Sequence, residues 1–241
     1  MIDTKPHAPV STRSGKAGRW LALLGGVVNP VAFVAAYTVA GALRPGYSPV
    51  HQSISDLGAG RYGPLMDAIA AAHGLLLIVF AAGFAMVMRP VLGPARRGLA
   101  TALLALRGLA GLTTALFTEA AATVAIHSLA TIVALLSMVL AFLVAGLGLR
   151  RDARWRRYGI YSLAATAATV LLVAVMFWLF NPRAPAAPTH LGGLAERLVS
   201  VEALAWYVVF GWRLFREGRR ARYRGPAPRE RPACHATDRS R

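Results

Sequence analysis

The sequence predicts an all-α fold: a polytopic membrane helix bundle with six transmembrane helices and both termini in the cytoplasm. Of the 241 residues, 56% are hydrophobic and 15% are charged, whereas about 25% of the residues of an ordinary soluble domain are charged. The net charge is nevertheless +17, which requires the basic residues to be separated from the apolar bulk. Six apolar stretches reach the length of about 20 residues that crosses the hydrocarbon core of a bilayer.

The six predicted spans are apolar around their whole circumference, which is typical of membrane helices and not of amphipathic surface helices. The first span is longer than the apolar region of a signal peptide, about 7–15 residues, so we expect it to remain as an uncleaved helix. In chain order the predicted spans are Trp20–Leu43, Leu65–Met88, Gly98–Phe117, Ile126–Leu149, Tyr158–Phe180 and Leu191–Leu214.

The connections between these spans are too short to hold a soluble domain. We therefore expect a basic cytoplasmic N-terminal tail at residues 1–19, the six-span bundle at residues 20–214, and a disordered tail rich in Arg and Pro at residues 215–241. The single cysteine, Cys234, excludes a disulfide framework, and it lies in a tail that would face the reducing cytoplasm.

The distribution of basic residues predicts the orientation, because cytoplasmic segments near span ends are enriched in Lys and Arg. Both tails and the second and fourth connections, counted with Arg213 at the end of the last span, together hold 22 of them, while the other three connections hold 3. This places both termini in the cytoplasm, at the inner membrane, with the basic tails beside anionic lipid headgroups. A nucleic-acid partner is not expected, because the C-terminal tail offers no folded module and few aromatic residues.

Three polar residues fall near the predicted midplane of the membrane. At a rise of 1.5 Å per residue, Asn29, Arg107 and Glu202 each lie about 15 Å from the cytoplasmic end of their span, which is half of a 30 Å core. An unpaired charge at that depth costs at least about 2.5 kcal/mol. We therefore expect Arg107 to pair with Glu202, with Asn29 as a third partner, either as an internal staple or as a relay or substrate site. Pro30 can kink the first helix there.

A second group of polar residues collects at the predicted outer face. His73 and Glu196 lie inside the expected edge of the hydrocarbon core. They should face the bundle interior, because polar side chains avoid lipid. The cytoplasmic face has few histidines apart from the tails. If the residues of the outer group were ordinary solvated loop residues, both faces should carry them. The group comprises His51, His73, His127, His190, Asp56, Asp67, Glu119, Glu196, Arg197, Ser53 and Ser55.

Two chemistries fit this outer group. In the first, His73, His127, Asp56 and Glu119 supply ligands for a divalent metal such as zinc, which lowers the pKa of a bound water and makes it a nucleophile. In the second, the catalytic residues are Ser55 as nucleophile, with Ser53 as its alternative, His127 as base and Asp56 as the residue that orients the base. Candidate substrate-binding residues are Glu196, Arg197, Ser53, His73 and Glu119.

Simpler structural roles remain open for the same residues. Ser53, Ser55 and Asp56 are residue types that favour turns and helix caps, and His127 can form an interfacial hydrogen bond at the start of its span. Ser53, Ser55 and Asp56 lie in the first connection, Arg44–Pro64, which is the longest in the bundle. Its apolar Ile54 and Leu57 are spaced to dock on a surface, so we expect a short interfacial helix that folds over the bundle mouth as a lid.

Several short motifs resemble a prokaryotic family. The sequence Pro-Gly-Tyr-Ser-Pro at residues 45–49, followed by Ser-Ile-Ser-Asp-Leu-Gly at residues 53–58, is similar to the first connection of a six-helix membrane family catalogued as domain of unknown function 998. Phe117 with an acid soon after it, His127, Gly-Leu-Ala-Glu-Arg-Leu at residues 193–198, and Trp206 follow in the family's order. The resemblance covers residues 20–216.

The resemblance implies the six-helix fold and a set of candidate residues, namely Ser55, Asp56, His127, Glu196 and Arg197, but no reaction. One position departs from the family pattern, which usually reads Phe-Pro-x-Asp after the third helix, whereas this chain reads Phe117-Thr118-Glu119-Ala120.

The functional prediction is a membrane protein of unassigned activity with an outward-facing polar pocket of His, Asp, Glu and Arg side chains. A lipid-binding, sensing or assembly module is the favoured interpretation. The alternative is a membrane-embedded hydrolase or transferase, with or without a catalytic metal, that acts on a lipid-linked substrate. The second alternative is a small-solute transporter. Transporter sites usually lie between two broken helices, and only the first half of the chain carries such a signal, at Asn29 and Pro30.

Overall fold

The computed structural model describes residues 12–119, 122–183, 185 and 189–223. The predicted roles of residues 1–11 and 224–241, Cys234 among them, lie outside the described residues. The described chain is helical apart from its connections. Its helices are α1 (Thr12–Leu23), α2 (Asn29–Leu43), α3 (Gly63–Val87), α4 (Pro94–Leu116), α5 (Val124–Leu149), α6 (Arg156–Phe180) and α7 (Gly192–Tyr223).

Within the described residues, six helical segments are long and apolar enough to cross a membrane, as predicted. The first combines α1 and α2 and runs over Gly15–Leu43, and the other five correspond to α3 to α7. The last helix differs from the prediction at its end, because α7 continues to Tyr223. The first turns of the tail predicted as disordered from residue 215 are therefore helical.

The first span contains the interruption that Pro30 predicts. A π-helical turn, Leu24–Val28, separates α1 from α2, and the Asn29 N–H donates to the Leu24 carbonyl. Proline lacks an N–H, so the normal ladder cannot continue through it. The wider turn buries Asn29 at 3% exposure and points its side chain into the bundle.

Aromatic side chains from three helices fill the centre of the bundle. Trp206 of α7 stacks between Phe142 of α5 and Phe210, with ring centroids 4.2 and 4.1 Å apart. Its indole N–H donates to Ser162 of α6 at 3.0 Å. Phe80 of α3 meets the edge of the Trp206 ring. These contacts hold α3, α5, α6 and α7 around one core.

Close helix contacts use glycine. A Cβ on Gly108 of α4 would lie 2.6 Å from the carbonyl oxygen of Gly74 on α3, and a Cβ on Gly74 would lie 2.7 Å from that of Gly108. Such close backbone approach is typical of membrane helix pairs. It brings α4 against the polar interior residues of α3.

The first connection folds over one end of the bundle, and its predicted helix is a 3₁₀ turn, Ser55–Gly58. Leu57 in this turn is 2% exposed and packs with Tyr37 of α2 and Met66 of α3, and Ile54 packs against the same cluster. The two apolar residues therefore dock as the spacing predicts, and the connection covers the ends of α2, α3 and α7.

Candidate functional site

A cavity of about 630 Å³ lies among α3, α4, α5 and α7, beneath the first connection. Most of the outer polar residues that the sequence singles out line this one space. The C-terminal end of α6 closes one side with Met176, Phe177 and Phe180. The polar lining residues are His51, Ser53, Ser55, Asp56, Asp67, His73, Arg107, Thr114, Thr118, Glu119, His127, Ser128, Thr131, Glu196, Ser200 and Tyr207.

The floor of the cavity is formed by Arg107, His73 and Tyr207. Asn29 donates its side-chain N–H groups to the carbonyl oxygens of Gly25 and His73, both at 3.4 Å. Its amide oxygen is therefore left as the acceptor for Nδ1 of His73, at 3.0 Å. The π-helical turn thus positions a side chain that holds the His73 ring at a defined angle.

The predicted pair of Arg107 with Glu202 is wrong. Glu202 accepts a hydrogen bond from Thr169 of α6 at 2.5 Å, and Arg107 belongs to none of the ion pairs found among the described residues. Counting residues along each span predicts the same depth for both residues, but it does not predict the direction in which each side chain points. Glu202 and Tyr207 lie about 140° apart around α7 at 3.6 residues per turn, so Tyr207 lines the cavity with Arg107 and Glu202 points elsewhere.

His127 stands at the mouth of the cavity, near the start of α5. Its Nδ1 lies 2.8 Å from the Phe117 carbonyl and 3.1 Å from the Thr114 carbonyl. Because carbonyl oxygens only accept, Nδ1 carries the proton. The other ring nitrogen, Nε2, faces Glu119, whose Oε1 lies 3.5 Å away. These hydrogen bonds orient the imidazole ring and tie the start of α5 to the end of α4, as the predicted interfacial role requires, while Nε2 lies beside Glu119.

Ser53 and Asp56 form a capping box in the first connection. The Ser53 N–H donates to the Asp56 carboxylate at 2.7 Å, and the Asp56 N–H donates to the Ser53 hydroxyl at 3.0 Å. This is the structural role that their residue types favour. The predicted triad is not assembled, because Asp56 closes this turn while backbone carbonyls orient His127, and no hydrogen bond within the described chain joins Ser55 to His127.

Glu196 and Arg197 of α7 bind the first connection to the bundle. Glu196 accepts the Ile54 N–H at 2.7 Å, and Arg197 donates to the Gln52 carbonyl at 2.8 Å and to the Tyr47 hydroxyl. The Tyr47 hydroxyl in turn donates to the Ser53 carbonyl at 2.6 Å. The two motifs that carry the family resemblance therefore meet in space and hold the cover over the cavity.

Burial keeps Tyr47 in its neutral form. It raises the pKa of the Tyr47 phenol above its ordinary value, although the hydrogen bond from Arg197 acts in the opposite direction. A neutral hydroxyl can donate to one partner and accept from another, as this contact requires.

Gly193 permits the first connection to approach the start of α7 closely, because a Cβ there would lie 2.2 Å from the Gln52 carbonyl oxygen. Glu196 lines the cavity, whereas Arg197 holds its cover.

The four candidate metal ligands do not form one cluster. His127 and Glu119 lie close together at the mouth, but His73 is at the floor and Asp56 is engaged in its capping box. In the part of the chain that the structure describes, no three His, Cys, Asp or Glu side chains are grouped to hold a metal ion.

Tyr207 is a lining residue that the sequence prediction did not include. It lies on the same face of α7 as Glu196, Ser200 and Ala203, which recur at the helical spacing of three and four residues. Extending that face from Glu196 towards the centre of the span identifies Tyr207. The polar group on this face was therefore readable from helical periodicity.

Comparison with known proteins identifies the family but no function. No curated protein and no solved structure matches the chain. The family described as "Protein of unknown function (DUF998)" matches residues 11–213, a stretch that contains nearly all of the six spans and the whole lining of the cavity. The chain is thus an integral membrane protein that belongs to the DUF998 family.

Proposed function

We propose that this protein binds an amphiphilic molecule, a lipid or lipid-linked compound, with its polar part in the cavity and its apolar part in the bilayer. The observation that supports this is that one cavity joins polar residues to residues at the lipid surface. Ile132 of α5 and Phe177 of α6 line the cavity and are 51% and 48% exposed. A side opening between α5 and α6 would let an acyl chain remain in lipid while the head group enters.

The cavity would open at the outer leaflet. The first, third and fifth connections lie at its mouth, and they hold few basic residues, whereas both tails and the other connections are strongly basic. The positive-inside rule therefore favours cytoplasmic termini. An Ala59→Cys variant in a Cys234→Ala background should react with a membrane-impermeant maleimide in intact cells, because Ala59 is exposed in the first connection. Labelling that needs lysed cells would contradict this orientation.

Lipid binding is tested by native mass spectrometry of the protein purified in a neutral detergent. We expect one lipid-sized adduct to survive delipidation of the wild type. The variant Ala134→Trp should lose it, since Ala134 is 5% exposed and lines the cavity, and an indole there would occupy part of the space. Leu136→Trp is the matched control, because Leu136 lies on the same helix and is 57% exposed. Equal adducts on both variants would contradict binding in the cavity.

The geometry of His127 favours a second candidate, a hydrolase or transferase that acts on the bound amphiphile. A neutral imidazole with Nδ1 fixed by carbonyls presents Nε2 as a base, and a neighbouring acid can hold the protonated form. Glu119 is that acid here, at 3.5 Å. If the same mass measurement shows conversion of an added lipid ester or lipid phosphate, His127→Gln should abolish the conversion without removing the adduct. An unconverted lipid in the wild type would restrict the protein to binding.

A further inference from the structure

We propose that the floor of the cavity is a subsite for a phosphate monoester group, with Arg107 as its counter-ion. This inference rests on the proposed binding of an amphiphile and names the chemistry of its polar end. Arg107 is placed at the centre of α4, and its Nε is buried without a hydrogen-bond partner. The described residues offer it no ion pair. A guanidinium that lacks a carboxylate inside a membrane calls for an anion from outside the chain.

Two further polar atoms at the floor lack partners. His73 is 5% exposed and Tyr207 is fully buried, and both line the cavity. Nε2 of His73 and the hydroxyl of Tyr207 are buried without any hydrogen bond. Buried polar groups are normally satisfied, so three unpartnered groups beside one cavity indicate that a polar ligand completes them. Arg107 lies within electrostatic range of both other residues.

The hydrogen-bonding roles of these atoms select the kind of anion. Nδ1 of His73 donates to Asn29, so Nε2 of the neutral ring is an acceptor and needs a donor. A carboxylate has no donor for it, and neither has a phosphodiester. A monohydrogen phosphate group carries both oxygens for Arg107 and Tyr207 and an O–H for His73. The arrangement therefore matches a phosphate monoester, either at the end of a lipid or as free phosphate.

The carboxylates of the cavity lie away from this floor. Asp67 is six residues before His73 on α3, and Glu196 is eleven residues before Tyr207 on α7, which correspond to about 9 and 17 Å of helix rise. Glu119 and Asp56 belong to the connections at the mouth. An anion at the floor is thus attracted by Arg107 and kept apart from the acidic side chains, which would repel it at the mouth.

The test measures binding to the delipidated protein in neutral detergent, with dioctanoyl phosphatidate, dioctanoylglycerol and inorganic phosphate as probes. We expect the phosphatidate to bind at least tenfold more tightly than the diacylglycerol. Arg107→Met should weaken phosphatidate binding by about 30-fold or more, since truncating one partner of a buried charge pair costs at least about 2 kcal/mol, and should leave dioctanoylglycerol unaffected. Arg96→Met, at an exposed position in the first turn of the same helix, is the matched control and should bind as the wild type does.

Stability provides a second readout. Because Arg107 has no partner in the empty cavity, Arg107→Met should keep or raise the thermal midpoint of the ligand-free protein, whereas loss of a structural ion pair would lower it. Tyr207→Phe removes one hydroxyl and keeps the packing, so it should weaken phosphatidate several-fold even if Arg107→Met fails to fold.

The possible outcomes separate the two proposals. Equal binding of phosphatidate and dioctanoylglycerol to the wild type and Arg107→Met would overturn the phosphate subsite and leave amphiphile binding intact. Inorganic phosphate that binds as tightly as phosphatidate would keep the subsite and overturn the lipid as its source. Binding of none of the three probes would overturn the subsite, and absence of any co-purified lipid would then overturn the proposed function as well.

Discussion

Replacing Gly108 with alanine is expected to destabilise the bundle by about 2 kcal/mol or more, the range in which overpacking of a well-packed interior falls. The new Cβ would lie 2.6 Å from the Gly74 carbonyl oxygen and 2.8 Å from the Ile78 side chain. Backbone cannot move aside as a flexible side chain does, so α3 and α4 must separate. The thermal midpoint in detergent, measured on delipidated protein, reports the effect.

Gly98→Ala is the matched control for this change. Gly98 lies on the same helix, and a Cβ there meets nothing within 4 Å. Alanine in a helix is favoured over glycine by up to about 1 kcal/mol, so this variant should be neutral or more stable. The two substitutions are chemically identical and should act in opposite directions. If Gly108→Ala is as stable as Gly98→Ala, the close contact between α3 and α4 does not exist.

Arg197→Met should release the first connection from α7. The methionine keeps the length of the side chain but removes the donors to the Gln52 and Gly193 carbonyls and to Tyr47. Hydrogen bonds to charged groups contribute about 1.5–3 kcal/mol each. A net loss of about 2 kcal/mol would speed local opening about 30-fold. Hydrogen exchange of the peptide spanning residues 47–58, followed by mass spectrometry, should show that acceleration.

Arg183→Met controls for the loss of a positive charge at the same end of the bundle, because Arg183 is exposed in the connection before α7. Its hydrogen exchange in residues 47–58 should equal that of the wild type. The acceleration in Arg197→Met should be confined to the first connection and leave the core of α5 protected. Unchanged exchange in Arg197→Met would show that the apolar contacts of Leu57 alone hold the cover closed.

The periodicity and composition of the chain predicted its helices and the docking of the first connection, because both are local properties. A span needs only a continuous run of apolar residues, and Ile54 and Leu57 needed only the right spacing. The interruption at Asn29 and Pro30 was also readable, since proline removes an N–H wherever it stands in a helix. Family motifs in the first connection and at the start of α7 pointed to the same end of the bundle.

The partners of individual polar side chains were not predictable in the same way. Depth in the membrane is predicted by counting residues, and that count assigns Arg107 and Glu202 to one level. Pairing also depends on the direction in which each helix turns its side chains, which is set by its neighbours. The structure directs Glu202 to Thr169 and leaves Arg107 with His73 and Tyr207 at the cavity.

By itself, the sequence determined that this protein has six helices long and apolar enough to span a membrane, because the transfer free energy of each residue type depends on that residue alone. Only the tertiary structure decided which polar residues share a space. The rotation of each helix is set by packing such as the Gly74–Gly108 contact, which no single segment contains. That packing leaves Arg107 unpaired beside a cavity, where its charge is available to a ligand.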